Sequence, residues 1–137
     1  MRVLILALAL TACAPASAPT ETSSCSADEA ERVVASMYFG RNIGGTLGVD
    51  DAEWAAFLDT EVTPRFPDGL TVSDADGQWR DSTSGAIVRE PSKVLTLFLG
   101  DEAADREKLE LIAHAYKEQF QQQAVALVVE RSCVTFE

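Results

Sequence analysis

The sequence predicts an α+β sandwich: one antiparallel sheet of four strands with two helices on one of its faces. Three observations carry this. Segments of two-residue and of helical periodicity follow one another in the order β-α-β-β-α-β. Right-handed crossovers turn that order into one arrangement, with both helices on the same face and the first and last strands antiparallel neighbours. Finally, Cys25 and Cys133 stand near the start of the first strand and the end of the last, two points this arrangement brings together. The order is that of the ferredoxin-like sandwich.

The elements are expected as follows. Glu31 to Phe39 alternates, with Val33, Ala35, Met37 and Phe39 facing one way and Val34, Ser36 and Tyr38 the other, so it reads as a strand. Gly40 to Gly48 holds four glycines and reads as a loop. Asp50 or Asp51 then caps a helix with Trp54, Phe57, Leu58 and Val62 as its apolar stripe, stopped by Pro64 and Pro67. Leu70 to Asp81 is a second strand with an irregularity expected around Asp76-Gly77. After a turn at Ser82 to Gly85, Ala86 to Leu99 is a third strand that Pro91 is expected to interrupt. A second helix, roughly Asp105 to Gln121, carries the stripe Leu109, Ile112, Ala113, Tyr116 and Phe120. Ala124 to Phe136 closes the sheet. On the third strand Val94, Thr96 and Phe98 oppose Leu95, Leu97 and Leu99, so both sheet faces look apolar although helices cover only one. An open apolar face points to a homodimer packed face to face or to a pocket floored by the sheet.

The chain has 137 residues, 47% of them apolar, which suits one folded domain. Its formal net charge is −11, the wrong sign for a nucleic-acid binder and repelled by anionic headgroups. Membrane attachment must then be covalent or specific. Residues 1–12 read as a signal peptide: Arg2 precedes an apolar run from Val3 to Leu10 that is far too short to span a bilayer. Leu10-Thr11-Ala12-Cys13 resembles the bacterial lipobox, which implies a lipid anchor on Cys13 and an exported protein facing the periplasm or the cell exterior. Ala14, by analogy with enteric bacteria, favours the outer membrane. Residues 13–24 are the lipidated Cys and a Pro, Ala, Ser and Thr tether, and residues 25–137 are the single domain. With Cys13 lipidated, the odd count of three cysteines resolves, and Cys25 and Cys133 are expected to form a disulfide; two buried thiols are the alternative. No Cys or His stands close enough to either for zinc, and neither a metal nor a cofactor is expected.

Several runs together resemble a known family. They are Met37-Tyr38-Phe39-Gly40, Trp54 to Leu58, Glu61 to Val72 with its Pro-Arg-Phe-Pro-Asp-Gly-Leu-Thr core, Gly77-Gln78-Trp79-Arg80, Arg89-Glu90, Ser92 to Leu95, Ala115-Tyr116, Phe120-Gln121 and Cys133-Val134. The chain resembles, from about Met37 to Phe136, domain of unknown function family 3574, whose members are small exported bacterial proteins and lipoproteins. That resemblance implies fold and location but no activity. The chain departs from the family's pattern at Pro91, where that pattern has Ser.

The polar residues singled out for ligand binding are Arg65, Asp68, Trp79, Arg80, Arg89, Glu90 and Lys93, with Tyr38. Four of the chain's basic residues fall in this set, which suits a carboxylate or phosphate held by Arg forks. Against that stands a simple set of cross-strand ion pairs, Arg80 or Arg89 with Asp81 or Glu90. No catalytic residue is assigned. His114 lies at the edge of the second helix's stripe, without a nucleophile motif to serve. Asp74-Ala75-Asp76-Gly77 looks like the start of a calcium loop but lacks its later ligands, so a turn is the plainer reading. The expected function is a cell-envelope binding module for a small ligand or a protein partner. The alternative is a cofactor-free enzyme of the dimeric ferredoxin-like type, using Arg80, Arg89 or Tyr38 on a small anionic or apolar molecule.

Overall fold

The computed structural model describes residues 25–137. The signal peptide, Cys13 and the tether assigned above lie outside them. The chain runs β1 (Ala30–Gly40), β2 (Asn42–Ile43), β3 (Thr46–Leu47), α1 (Asp51–Phe57), a π-helical turn (Leu58–Val62), β4 (Thr71–Arg80), β5 (Ile87–Leu99), α2 (Glu102–Phe120) and β6 (Ala126–Val134). Four strands form one sheet in the order β4-β5-β1-β6, every neighbour antiparallel, which is the ferredoxin-like arrangement. Among the described residues no helix is long and apolar enough to cross a membrane.

Strand alternation sorts the sheet. Ala35, Met37 and Phe39 of β1 and Leu95, Leu97 and Leu99 of β5 are buried under the helices. Their partners from above are Trp54, Phe57 and Val62, then Leu109, Ile112, Tyr116 and Phe120. Phe39 stands at the centre, its ring 5.1 Å from Trp54, 6.2 Å from Phe57 and 4.8 Å from Tyr116, all edge to face. Phe57 and Val62 are five residues apart, and the widened turn between them, closed by Thr63 N–H on the Leu58 carbonyl at 2.8 Å, lets both face the core.

The local signals read from the sequence locate these elements with four differences. The cap of α1 is not among them: Asp50, one of the two expected candidates, accepts from Glu53 N–H while Glu53 accepts in return from Asp50 N–H, each 2.8 Å. The glycine-rich stretch is not all loop: Ile43 and Thr46 pair across Gly44-Gly45, whose φ angles of 61° and 87° are what a two-residue hairpin turn requires. The expected irregularity at Asp76-Gly77 is absent, since β4 and β5 pair without a break from Thr71↔Thr96 to Arg80↔Ile87. Nor does Pro91 interrupt β5. Its carbonyl accepts from Arg41 N–H (3.1 Å), and the N–H it lacks would point the same way, past the end of β1. The ladder to β4 therefore loses no bond. The turn at Ser82 to Gly85 is as expected and is organised by Asp81, whose Oδ1 accepts from Thr83 N–H, Ser84 N–H and Ser84 Oγ–H.

The fourth difference is the start of α2, at Glu102 rather than near Asp105. Asp101 is the cap, accepting from Ala103 and Ala104 N–H at 3.1 Å each. Asp105 is instead a buried brace. Its Oδ2 accepts from Gly100 N–H (2.8 Å) and Asp101 N–H (3.2 Å), and its Oδ1 meets Lys108 Nζ at 2.8 Å. Burial pushes its carboxyl up, but the Lys108 contact and the two backbone N–H groups outweigh that and leave it below the usual carboxylate range. Asp105→Ala should cost roughly 1.5–3 kcal/mol at pH 7. Because the folded-state pKa is the lower one, this contribution is whole above about pH 4 and fades as pH falls through the folded value. Urea melts of both proteins at pH 7 and pH 3 check it; a gap that does not narrow in acid contradicts the assignment.

Cys25 and Cys133 are joined by a disulfide, with Cα atoms 5.4 Å apart. Cys133 pairs with Glu31 on β1, so the bond ties the segment entering β1 to the far end of β6.

Candidate functional site

The eight residues singled out above do not come together. Arg65 and Asp68 precede β4, whereas Trp79 and Arg80 end it, so the whole strand of 10 residues, roughly 30 Å long, separates them. Arg65 is held locally by Glu61, at 3.0 Å from its carboxylate, and Asp68 is exposed. The remaining six divide between the two faces of the sheet. Residues directly opposite one another share a face, so Gln78↔Arg89, Arg80↔Ile87 and Asp74↔Lys93 place Arg89, Arg80 and Lys93 on the helix side. Gly77↔Glu90, Trp79↔Val88 and Tyr38↔Val94 place Glu90, Trp79 and Tyr38 on the other side. An anion held jointly by Arg80, Arg89 and Tyr38 is incompatible with this placement. The cross-strand pairs proposed for Arg80 and Arg89 are also absent among the described residues; Arg80 instead donates to the Gly85 carbonyl (3.0 Å).

On the helix side, Lys93 is buried and reaches Asp74 Oδ1 at 2.5 Å and Asp51 Oδ1 at 3.3 Å. Arg41, also buried and not foreseen, donates through Nε to the Val49 carbonyl (2.7 Å) and through a terminal nitrogen to the same Asp51 oxygen (2.9 Å). The Lys93 hydrogen bond and charge, then the Arg41 charge, hold Asp51 below the usual carboxylate range, and the Asp74 bond pushes Lys93 up. Tyr116 O–H donates to the Gly40 carbonyl at 2.9 Å, and burial pushes its phenol up. Every charge in this network has a partner of its own. It pins the end of β1 and the start of α1 to β4 and β5. Asp74 thus serves a strand ion pair rather than a turn, and among the described residues no cluster is placed to hold a metal ion. His114 sits exposed, 3.4 Å from Glu118.

The opposite face is different in kind. It carries Val34, Ser36, Tyr38, Val94, Thr96, Phe98, Ala126 and Val128, and among the described residues no helix lies above it. Tyr38 is 45% exposed, Phe98 47% and Val128 47%, and the exposed Phe136 ring leans edge-on against Phe98 at 5.4 Å. Ser36 and Thr96 interleave with these residues, as the sequence places them, so the face is a broken apolar band. At one end stands Glu90. Its Oε1 accepts from Trp79 Nε1–H (3.0 Å) and its Oε2 from Asn42 N–H (3.2 Å). A Cβ on Gly40 would come within 2.7 Å of all three carboxylate atoms, so Glu90 lies flat over a bare strand rather than reaching into water. A shallow groove at this end of the β4–β5 pair is lined by Asp76, Gly77, Gln78, Arg89, Glu90 and Pro91, of which Asp76, Gln78, Arg89 and Pro91 belong to the helix side.

Residues 34–136 match a family described as "Protein of unknown function (DUF3574)". The chain belongs to this family. No curated protein matches the sequence. Among solved structures, the chain is similar in fold to a phage SAM lyase solved with S-methyl-5'-thioadenosine, with TM-score 0.61 and 14% identity over 85% of this chain and 97% of that one. The same kind of enzyme in its apo state matches with TM-score 0.57 and 16% identity over 78% and 91%. At such identities the likeness shows the shared α+β fold.

Proposed function

We propose that this protein is an exported lipoprotein of the cell envelope, anchored through lipid on Cys13, whose domain is a binding module working through the open face of its sheet. The observation that carries the binding reading is the exposed row of Tyr38, Phe98 and Val128 on the face the helices leave bare. Large apolar side chains in water on a β-face, next to a fixed carboxylate, suit a surface that meets something apolar. The export reading is supported by the lipobox-like Leu10 to Cys13 and by the disulfide, which leaves Cys13 as the third cysteine and belongs to an oxidising compartment. Ala14 inclines the anchor to the outer membrane.

Light scattering and a hydrophobic dye test the binding reading on the chain from residue 13 onward carrying Cys13→Ser. Dye binding by a monomer, or self-association through a second copy, is expected, and Phe98→Asp should abolish either. A monomer that takes up no dye sinks the reading. Palmitate labelling of the full chain in a bacterial host should be lost in Cys13→Ser.

A second reading is a cofactor-free enzyme. Its support is the phage SAM lyase, an enzyme of this fold solved with a small nucleoside thioether. In this chain such a reaction would fall to Tyr38, Trp79 and Glu90, since Arg80 and Arg89 lie across the sheet from them.

A further inference from the structure

We infer that the corner of the open face formed by Glu90, Trp79 and Tyr38 is a binding site for a small organic cation bearing N–H donors, of the primary alkylammonium class. The inference deepens the open-face reading and rests on it.

The first argument is charge. Among the residues of β1, β4 and β5 that face outward from Thr71 to Trp79, Val88 to Val94 and Ser36 to Gly40, Glu90 is the one charged side chain. The basic residues of the same hairpin are all on the helix side, and Lys93 is spoken for by Asp74 and Asp51. A chain of net charge −11 draws cations to its surface, and here the local sign agrees with the global one.

The second is preorganisation. A glutamate on an exposed strand usually samples many rotamers, and a ligand that fixes it must offset that lost freedom. Glu90 is already fixed, by the Trp79 indole on one oxygen and Asn42 N–H on the other. Each carboxylate oxygen has two lone pairs, so each retains acceptor capacity after these bonds. Gly40 lies beneath the carboxylate, and Gly77, directly opposite Glu90 on β4, has only the small Ser92 hydroxyl over it, so no bulky side chain rises from either position.

The third is the apolar flank. Trp79, 39% exposed, stands on one side of Glu90. Tyr38 stands on the other, two residues along β1 from Gly40 and so roughly 6.6 Å from it. An ammonium group on Glu90 with a short alkyl chain laid towards either ring satisfies both chemistries, and the aromatic faces favour a cation over a neutral amine. A ligand anion would meet Glu90 with no cation beside it at this corner to offset it, since Arg32, the cation of β1 on this face, stands eight residues along the strand from Gly40.

The test follows the two indole N–H signals in ¹⁵N–¹H spectra of the chain from residue 13 onward carrying Cys13→Ser; Trp79→Phe identifies the Trp79 signal. n-Butylammonium is titrated, with n-butanol as the uncharged isostere. A saturable shift of the Trp79 indole in about the millimolar range is expected for so small a probe. Glu90→Gln should weaken it at least about tenfold, and n-butanol should bind at least about tenfold more weakly. Gly40→Ala is the second variant: its methyl would displace the Glu90 carboxylate, the flexible end of that side chain, while the strand stays intact, so binding should fall with little change in the rest of the spectrum. The inference is overturned if no saturable shift occurs below about 100 mM, if both variants bind within twofold of the parent, or if n-butanol binds as well. A blocked Gly-Lys-Gly peptide binding more than about tenfold tighter than n-butylammonium would also overturn it, by moving the source of the ammonium to a protein chain. Phe98→Asp lies away from this corner, so failure here with dye binding intact leaves the open-face reading standing.

Discussion

Replacing both cysteines of the bridge, Cys25→Ala with Cys133→Ala, should cost the domain on the order of 4 to 5 kcal/mol. The two residues are 108 apart in sequence, so the bond closes nearly the whole folded stretch into one loop. In the chain-entropy view it removes from the unfolded ensemble the conformations in which these ends are far apart, and the native state, where β1 and β6 already hold them together, gives up almost nothing. Domains of this size have about 5–15 kcal/mol in total, so the variant should sit near the edge of folding at 37 °C. Its midpoint should drop by on the order of 15 °C or more. Urea denaturation should also show a steeper slope, because the unlinked unfolded chain exposes more surface. Changing both residues together leaves no lone thiol to confuse the comparison. A loss under about 1 kcal/mol would mean that the unfolded chain already keeps its ends close.

Phe39→Ala should follow closely, at about 3–5 kcal/mol. Phe39 is fully buried on the central strand β1 and meets Trp54, Phe57 and Tyr116 edge to face. Truncation removes apolar burial and also opens a cavity that its rigid aromatic neighbours cannot fill by turning. Phe120 should suffer less from the same change. It lies at the last turn of α2, where its ring meets those of Phe57 and Tyr116, with some exposure of its own. Chemical denaturation of the two variants side by side decides this; an equal or reversed order would place the centre of the core elsewhere. Activity or ligand assays should not be read on Phe39→Ala, since any loss there would be a loss of fold.

Periodicity and capping carried most of the fold. The alternation of Val33, Ala35, Met37 and Phe39, the Trp54 and Phe57 stripe, and the pair Asp50 and Glu53 each state a local preference that the packed structure keeps. The short β2–β3 hairpin was hidden because four glycines suggest disorder of direction, although two adjacent ones at Gly44-Gly45 are also what a tight hairpin wants. The site was less legible for a reason specific to sheets. Trp79, Arg80, Arg89 and Glu90 are near in sequence across a turn, but a side chain's face depends on register, and one residue of slip would exchange every partner. Only with Gly77 set against Glu90 does it follow that the arginines leave and the tryptophan stays. Arg41 was missed because it stands alone in a glycine-rich stretch, and its partners Val49 and Asp51 become neighbours only once β2 and β3 fold back.

The position of the disulfide also decides how the domain answers a pull. A tug on the chain ahead of residue 25 does not reach the first backbone bonds of β1 as a zipper reaches its first tooth. It passes through sulfur into β6 at Cys133, so two neighbouring strands take the strain at one end together. A domain moored from that side to a moving surface would hold its shape under tension that peels an unbridged strand away.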